Sequence, residues 1–165
     1  MVLPLVKFFN IIFAALLAGT SFGIWLGFNP MNYSASTYIE QQQNLLHSLN
    51  TPLIALVIIT TVFTLIAAFL QMKNKPVFVA LLLAAAFFLS CMIITRLGNV
   101  PIQTQMLNWK KDALPGDWPA LRDKWWLFHI MRTNAELIAL VLIAWTTIQK
   151  KPPQNLSNPE VGYQQ

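Results

Sequence analysis

Four apolar stretches of membrane-spanning length constrain this chain more than any other feature. They cover about residues 5–27, 53–70, 77–97 and 127–148, and each approaches the roughly 20 residues that an α-helix needs to cross a bilayer. Because lipid offers no partner to unpaired backbone groups, such segments cross as helices. The sequence therefore predicts an all-α protein, a bundle of four transmembrane helices that forms a single membrane domain over residues 1–150.

The first stretch carries two further signals. Its apolar run is longer than the roughly 7–15 residues of a secretory signal core, which favours a retained helix over a cleaved leader. Gly19, Gly23 and Gly27 recur every four residues, a spacing typical of a face on which a neighbouring helix packs closely.

The composition supports a membrane protein and excludes other classes. Of the 165 residues, 56% are hydrophobic and 10% are charged, whereas soluble domains carry roughly 25% charged residues. The formal net charge is +5, but the basic residues are scattered near the ends of the apolar stretches, so we expect no nucleic-acid partner. With one cysteine, Cys91, an intrachain disulfide is excluded, and this side chain is expected to pack as a small apolar group.

Flanking lysines predict the orientation in the membrane. Lys7 precedes the first stretch, and Lys73 and Lys75 separate the second from the third, which favours cytoplasmic N- and C-termini under the positive-inside rule. The opposite side is basic as well, so the charge count alone does not decide the orientation. We expect the protein to lie in a bacterial inner membrane. Residues 151–165 are polar, rich in proline and without periodicity, and they are predicted to form a disordered tail.

Polar residues gather in the two connections on the predicted non-cytoplasmic side. In the first, Thr37 and Glu40 fit a capping box, which predicts a helix that starts there and runs toward Pro52. The polar residues along one face of this helix are Glu40, Gln43, Asn44 and His47. In the other connection, Pro119 suits the first turn of a helix that extends the fourth stretch outward. Together these segments predict an extramembrane helical cap.

A seam of ionisable and aromatic side chains enters the fourth stretch. Arg122, Trp125, His129, Arg132 and Glu136 are three or four residues apart, so on a helix they share one face, where a buried helix normally carries leucine or isoleucine. A charged group at membrane depth costs about 2.5–3.5 kcal/mol on insertion scales and is retained where it faces protein or a wet cavity. The seam therefore predicts a functional site.

Structural explanations compete for several of these residues. Arg132 and Glu136 are four apart, which suits an ion pair within the helix. Tryptophans at the end of the bundle suit an interfacial aromatic belt, and His47 suits an ordinary interfacial position. His129 lies on the seam between Trp125 and Arg132, and for this residue we favour a functional role.

Two segments of the second half of the chain carry a family resemblance. They are GNVPIQTQMLNW, residues 98–109, and DWPALRDKWWLFHIMRTNAELIALV, residues 117–141. The positions concerned are Asn99, Pro101, Trp109, Asp117, Trp118, Leu121, Arg122, Trp125, His129 and Arg132. In this pattern the chain resembles the anthrone oxygenase-like family of small four-helix membrane proteins. That family often has asparagine two residues after the proline, where this chain has Gln103.

The resemblance implies oxidation of a phenolic tricyclic anthrone to an anthraquinone by dioxygen, without metal or flavin. The reaction needs a base, groups that stabilise an anion, and an apolar cavity. We predict His129 as the base, since imidazole changes protonation near neutral pH, and Arg122 and Arg132 as the anion-stabilising groups. The predicted substrate-binding residues are Asn99, Gln103, Asn108, Trp109, Trp125, Glu136, His47 and Arg96. The expected partners are membrane lipid, a small hydrophobic aromatic substrate and dioxygen.

Two other functions stay open at this point. His47 and His129 are predicted at the same end of the bundle, where they would suit the axial ligands of a haem or, with Glu40, the ligands of a single metal ion in a membrane redox subunit. The third possibility is a non-enzymatic membrane protein for binding or assembly, in which the seam serves stability or partner retention.

Overall fold

Helices make up nearly all of the regular structure in residues 2–110 and 113–149, which the computed structural model describes. The elements are α1 (Val2–Gly27), a 3₁₀ turn (Pro30–Asn32), α2 (Ala35–Phe69), α3 (Lys75–Ile94), a π-helical segment (Thr95–Asn99), α4 (Val100–Met106) and α5 (Trp118–Ile148). The predicted polar tail, residues 151–165, lies outside the described residues.

Four helical runs are long and apolar enough to cross a membrane. Three of them contain α1, α2 and α5, and the other is α3 continued through the π-helical segment into α4. The helices α1 and α3 each pack against both α2 and α5. Large apolar side chains such as Phe8, Ile58, Leu89 and Val141 are exposed on the outer faces, as lipid contact requires. The predicted all-α class and four transmembrane helices are confirmed, and the protein is an integral membrane protein.

The start of α2 differs from the sequence-based prediction. The N-cap is Ser34, whose Oγ accepts the Thr37 N–H at 3.3 Å, so the predicted capping box of Thr37 and Glu40 is wrong. The helix also continues through Pro52. Proline removes the hydrogen bond to the carbonyl four residues earlier, and that residue, Ser48, is exposed. One continuous helix therefore joins the cap to the membrane part of the bundle.

A π-helical segment separates α3 from α4. Its extra residue is visible in the hydrogen bond from the Val100 N–H to the Thr95 carbonyl, five residues earlier. Pro101 then lies in the first turn of α4, where its missing N–H costs little. Single π turns inside helices often occur at functional sites, and this one lies beside the cavity described below.

The π-helical segment approaches α5 very closely at Gly98. A Cβ at this position would lie 2.6 Å from Phe128 Cγ, so only glycine fits without a shift of the ring. The next residue, Asn99, is buried and donates from Nδ2 to the Trp125 carbonyl at 3.2 Å. Gly98 and Asn99 together hold α5 close to the third helical run.

Two apolar cores are stacked along the bundle, with a polar layer between them. The membrane core includes Leu17, Val57, Phe88, Ala139 and Ile143. The cap core includes Phe28, Tyr38, Leu46, Ile102 and Trp125. Along α1 the buried Ser21 lies between the two cores, and along α5 so do the buried His129 and Glu136. Two residues of the predicted seam, His129 and Glu136, therefore lie in a polar layer of the protein interior.

The glycine stripe of α1 does not pack within this chain. Gly19, Gly23 and Gly27 are exposed, and an added Cβ would meet nothing within 4 Å at any of them. The prediction of a close helix contact there is wrong for the described residues, because α1 turns Leu17 and Ser21 inward instead.

Candidate functional site

A cavity lies beside the polar layer, enclosed by α1, α2, α5 and the run from α3 to α4. Its volume is about 270 Å³, nearly twice the ~150 Å³ of an engineered apolar cavity that holds benzene. Most of the wall is apolar, with Leu17, Leu49 and Leu53 among its residues. Ile54, also in the wall, is 45% exposed, so the cavity reaches the outer face of the bundle. The space suits an apolar molecule larger than one aromatic ring.

Several predicted site residues line this cavity. They are Arg96, Gln103, Trp125, Arg132 and Glu136. Glu136 is fully buried, whereas Arg132 is half-buried and Arg96 is exposed. The cavity therefore combines an apolar wall with a carboxyl group and a guanidinium that come from successive turns of α5.

His129 is fully buried beside the cavity without being part of its wall. Its ring stacks against Trp125 and Trp126, each at a centroid distance of 5.4 Å. Arg132 Nε and Nη2 lie 3.3 and 3.2 Å from His129 Nδ1. Because a guanidinium only donates, Nδ1 is the acceptor and the ring proton is on Nε2. His129 thus orients Arg132, and its Nδ1 lone pair is occupied.

The carboxyl group of Glu136 lies beside residues of two other helices. Cys91 Sγ donates to Oε1 at 3.0 Å. The Ser21 hydroxyl lies beside the same carboxyl group, and the Ser21 carbonyl lies beside His129. Neither Ser21 contact has the geometry of a formed hydrogen bond, since Ser21 Oγ, His129 Nε2 and Glu136 Oε2 have no partner among the described residues. Oε2 therefore remains available to a molecule in the cavity.

Arg132 and Glu136 do not form the intrahelical ion pair that their spacing allows. Arg132 turns to His129 and Glu136 turns to Cys91, and for these two described side chains no N···O distance falls within 4 Å. The positive charge of Arg132 still acts on the carboxyl group through space. Both groups thereby keep polar atoms for a ligand.

Arg122 lies away from the cavity, in the cap. Its Nε donates to Asp123 Oδ1 at 2.8 Å, and its guanidinium lies 5.1 Å from the centre of the Trp118 ring. These contacts stabilise the first turns of α5, which lie in the cap above the polar layer.

The other predicted residues take structural or peripheral positions. Asn99 joins the π-helical segment to α5 behind Trp125. Trp109 is buried in the cap core, and Asn108 is exposed and bonds within its own helical turn. His47 is exposed in an adjoining depression, which shares Gln103 and four other residues with the cavity. The structure does not bring Trp109, Asn108 or His47 to the cavity.

Gln42 and Cys91 are among the cavity residues that sequence reasoning missed. The predicted polar face of α2 contained Gln43, but the buried face contains Tyr38, Gln42 and Leu46. The spacing of four among these residues was the available signal, because it places position 42 inside an apolar stripe. For Cys91 the sequence held no comparable signal, since its partner Glu136 is 45 residues away.

The described residues contain no cluster of three His, Cys, Asp or Glu side chains able to hold a metal ion. His129 is buried against the tryptophans, whereas His47 is exposed in the adjoining depression. The two histidines therefore lie in different surroundings.

Comparison with known proteins gives one finding. The model of the family described as anthrone oxygenase matches residues 43–142, a segment that contains every predicted site residue and most of the cavity wall. No curated protein and no solved structure matches the chain.

Proposed function

This chain belongs to the anthrone oxygenase family, and on that premise we propose that it is a membrane-embedded oxygenase acting on a hydrophobic phenolic or anthrone-like aromatic. The observation that supports the proposal is the apolar cavity of about 270 Å³ with Glu136 and Arg132 in its wall. An apolar ring system fits such a wall, and the two polar groups provide a proton acceptor and a cation for an anionic oxygen.

In the proposed reaction, the base removes one proton from the methylene carbon of the substrate. The negative charge spreads onto the substrate's ring oxygen, where a cation stabilises it. The electron-rich carbanion reduces dioxygen by electron transfer and recombination, which forms a carbon-bound hydroperoxide after protonation. Loss of the second methylene proton with cleavage of the O–O bond gives the carbonyl and water. One oxygen atom of dioxygen ends in the product and the other in water.

We assign the base to Glu136, which differs from the prediction made from the sequence. Glu136 lines the cavity with an unpartnered oxygen, whereas His129 is outside the wall and its Nδ1 accepts from Arg132. His129 then acts as a positioning residue for the guanidinium. Arg132 is the cation for the anion, because Arg122 is paired with Asp123 away from the cavity.

The proposal includes dioxygen as co-substrate, lipid as the surrounding medium, and no resident cofactor, since proton removal and anion stabilisation need side chains alone. It also includes cytoplasmic termini in a bacterial inner membrane. An optical spectrum and metal analysis of the purified protein test the first part, and a haem band or one metal per chain would contradict it. A reporter enzyme fused to the C-terminus tests the second, and periplasmic activity of the reporter would contradict it.

The decisive experiment measures oxygen uptake and quinone formation by the purified protein with an anthrone. Glu136→Gln is expected to lower kcat by about 10²–10⁴-fold, the usual contribution of a general base. Arg132→Gln is expected to lower it by about 10²–10³-fold, and His129→Gln by less. Asn134→Ala, an exposed change on the same helix, is the matched control and should retain full activity.

Three outcomes would contradict parts of this proposal. No oxygen uptake above the spontaneous rate by the wild-type protein would refute the oxygenase. Equal activity of Glu136→Gln and Asn134→Ala would refute the role of Glu136. A loss in His129→Gln as large as in Glu136→Gln, with the pH dependence of kcat removed, would return the role of base to His129.

A further inference from the structure

Gln42 is a buried amide that no group among the described residues satisfies. Its side chain is 1% exposed, it lines the cavity, and neither Nε2 nor Oε1 has a hydrogen-bond partner among the described residues. Buried amides in proteins are nearly always paired, so an unpaired one calls for an explanation. A ligand in the cavity is the explanation that this position allows.

The neighbouring glutamine shows what a structural amide looks like in the same helix. Gln43 Nε2 donates to the carbonyls of Met106 and Trp109, both at 3.1 Å, and so joins α2 to the end of α4. Gln42, one residue earlier, makes no such bond. Both side chains carry an amide, but among the described residues the Gln43 amide is hydrogen-bonded and the Gln42 amide is not. Gln43 is therefore the matched control.

A second unpartnered donor lies in the same wall. Trp125 Nε1 is buried without a hydrogen-bond partner among residues 2–110 and 113–149, and Trp125 lines the cavity. Trp125 belongs to the cap core, which also contains Ile39 and Leu46 on either side of Gln42 along α2. Gln42 and Trp125 therefore belong to the cap end of the cavity.

The carboxyl group of Glu136 lies toward the other end. It accepts from Cys91, which belongs to the membrane core. Arg132 lies between the two ends, because its guanidinium contacts His129, whose ring stacks on Trp125. Apolar residues such as Leu49 and Leu53 line the wall as well. Gln42 and Glu136 thus lie toward opposite ends of a mostly apolar cavity.

We propose that Gln42, together with Trp125, binds an oxygen substituent at the end of the aromatic substrate farthest from Glu136. A hydroxyl there donates to Gln42 Oε1 and accepts from Gln42 Nε2 or Trp125 Nε1, which satisfies atoms that are otherwise unpaired. Gln42 is a specificity-determining residue, one position outside the segment that the family model matches. The inference rests on the proposed function, because it places the substrate in the same cavity.

The test measures binding of two unreactive quinones, a dihydroxyanthraquinone with its hydroxyls on opposite outer rings and its monohydroxy counterpart. Binding is followed by quenching of tryptophan fluorescence in detergent, for the wild-type protein and for Gln42→Met and Gln43→Met. The wild-type protein is expected to bind the dihydroxy compound at least about tenfold more tightly, because a site built for a hydroxyl rejects the analogue that lacks it. Gln42→Met is expected to bind both equally.

The melting temperature without ligand separates this role from a structural one. Replacing an unpaired buried amide by an apolar group of similar shape removes an unfavourable burial, so Gln42→Met is expected to raise Tm. Gln43→Met loses two hydrogen bonds and is expected to lower Tm while it keeps the preference for the dihydroxy compound. If Gln42→Met does not fold, Gln42→Leu takes its place.

Two results would overturn the inference. One is a Gln42→Met protein that keeps the wild-type preference between the quinones, and the other is a fall in its Tm like that of Gln43→Met. A wild-type protein that binds neither quinone would overturn it as well. The wild-type protein could prefer the dihydroxy compound and yet show no turnover. If Gln42→Met then loses that preference, the inference is supported and only the proposed oxygenase is refuted.

Discussion

Replacing Gly98 with alanine tests how the third helical run meets α5. The new Cβ would lie 2.6, 2.7 and 2.8 Å from Cγ, Cδ2 and Cδ1 of Phe128, whereas carbon atoms in contact stand about 3.5–4.0 Å apart. These three atoms form the inner end of the ring, next to the α5 backbone. Relief of the clash requires Phe128 or its helix to retreat by about 1 Å.

The magnitude follows from three contributions. Overpacking of a core costs about 1–3 kcal/mol. Alanine favours a helix over glycine by about 1 kcal/mol, but the retreat also strains the adjacent hydrogen bond from Asn99 to the Trp125 carbonyl, which is worth about 0.5–1.5 kcal/mol. Because the last two contributions nearly cancel, Gly98→Ala is expected to lower the free energy of unfolding by about 1–3 kcal/mol.

The assay is unfolding in detergent, followed by far-ultraviolet circular dichroism, in a double-mutant cycle with Phe128→Ala. Alanine removes the three ring atoms that the new Cβ would meet, so Gly98→Ala is expected to be neutral or stabilising in the Phe128→Ala background. The reasoning would be refuted if Gly98→Ala were harmless in the wild-type background, or if it cost the same in both backgrounds.

Three further predictions concern single contacts. Thr64→Val removes the hydrogen bond from Thr64 Oγ1 to Asn10 Oδ1, 2.8 Å long between α1 and α2, and is expected to lower the free energy of unfolding by about 0.6–1.7 kcal/mol in a denaturant titration. Ser34→Ala removes the N-cap of α2 and is expected to cost about 0.5–2 kcal/mol, with faster amide exchange in the first turn; unchanged exchange would contradict the cap. Cys91→Ala deprives the buried Glu136 of its donor and is expected to cost about 1–3 kcal/mol, whereas Cys91→Ser should cost less. Equal melting temperatures of the two variants would count against that contact.

Much of the fold was predictable because it depends on local composition. Length and hydropathy identify the four membrane helices without reference to any partner, since each satisfies its own backbone in lipid. Pro119 in the first turn predicted that α5 begins outside the fourth apolar stretch, and α5 does begin at Trp118. The three- and four-residue spacing also placed Trp125, Arg132 and Glu136 on one face of α5, and all three line the cavity.

Where a polar side chain ends up within the bundle was decided by tertiary structure. Consecutive residues of a helix point about 100° apart, so the choice between Gln42 and Gln43 as the cavity residue depends on how α2 is rotated against its neighbours. Arg122 and Arg132 share a seam in the sequence, yet one pairs with Asp123 in the cap and the other reaches His129. The sequence by itself determined four membrane helices and a polar seam. Only the packing of helices distant in sequence determined which polar groups face the cavity, because that depends on contacts such as Gly98 with Phe128 and Cys91 with Glu136 that no local pattern encodes.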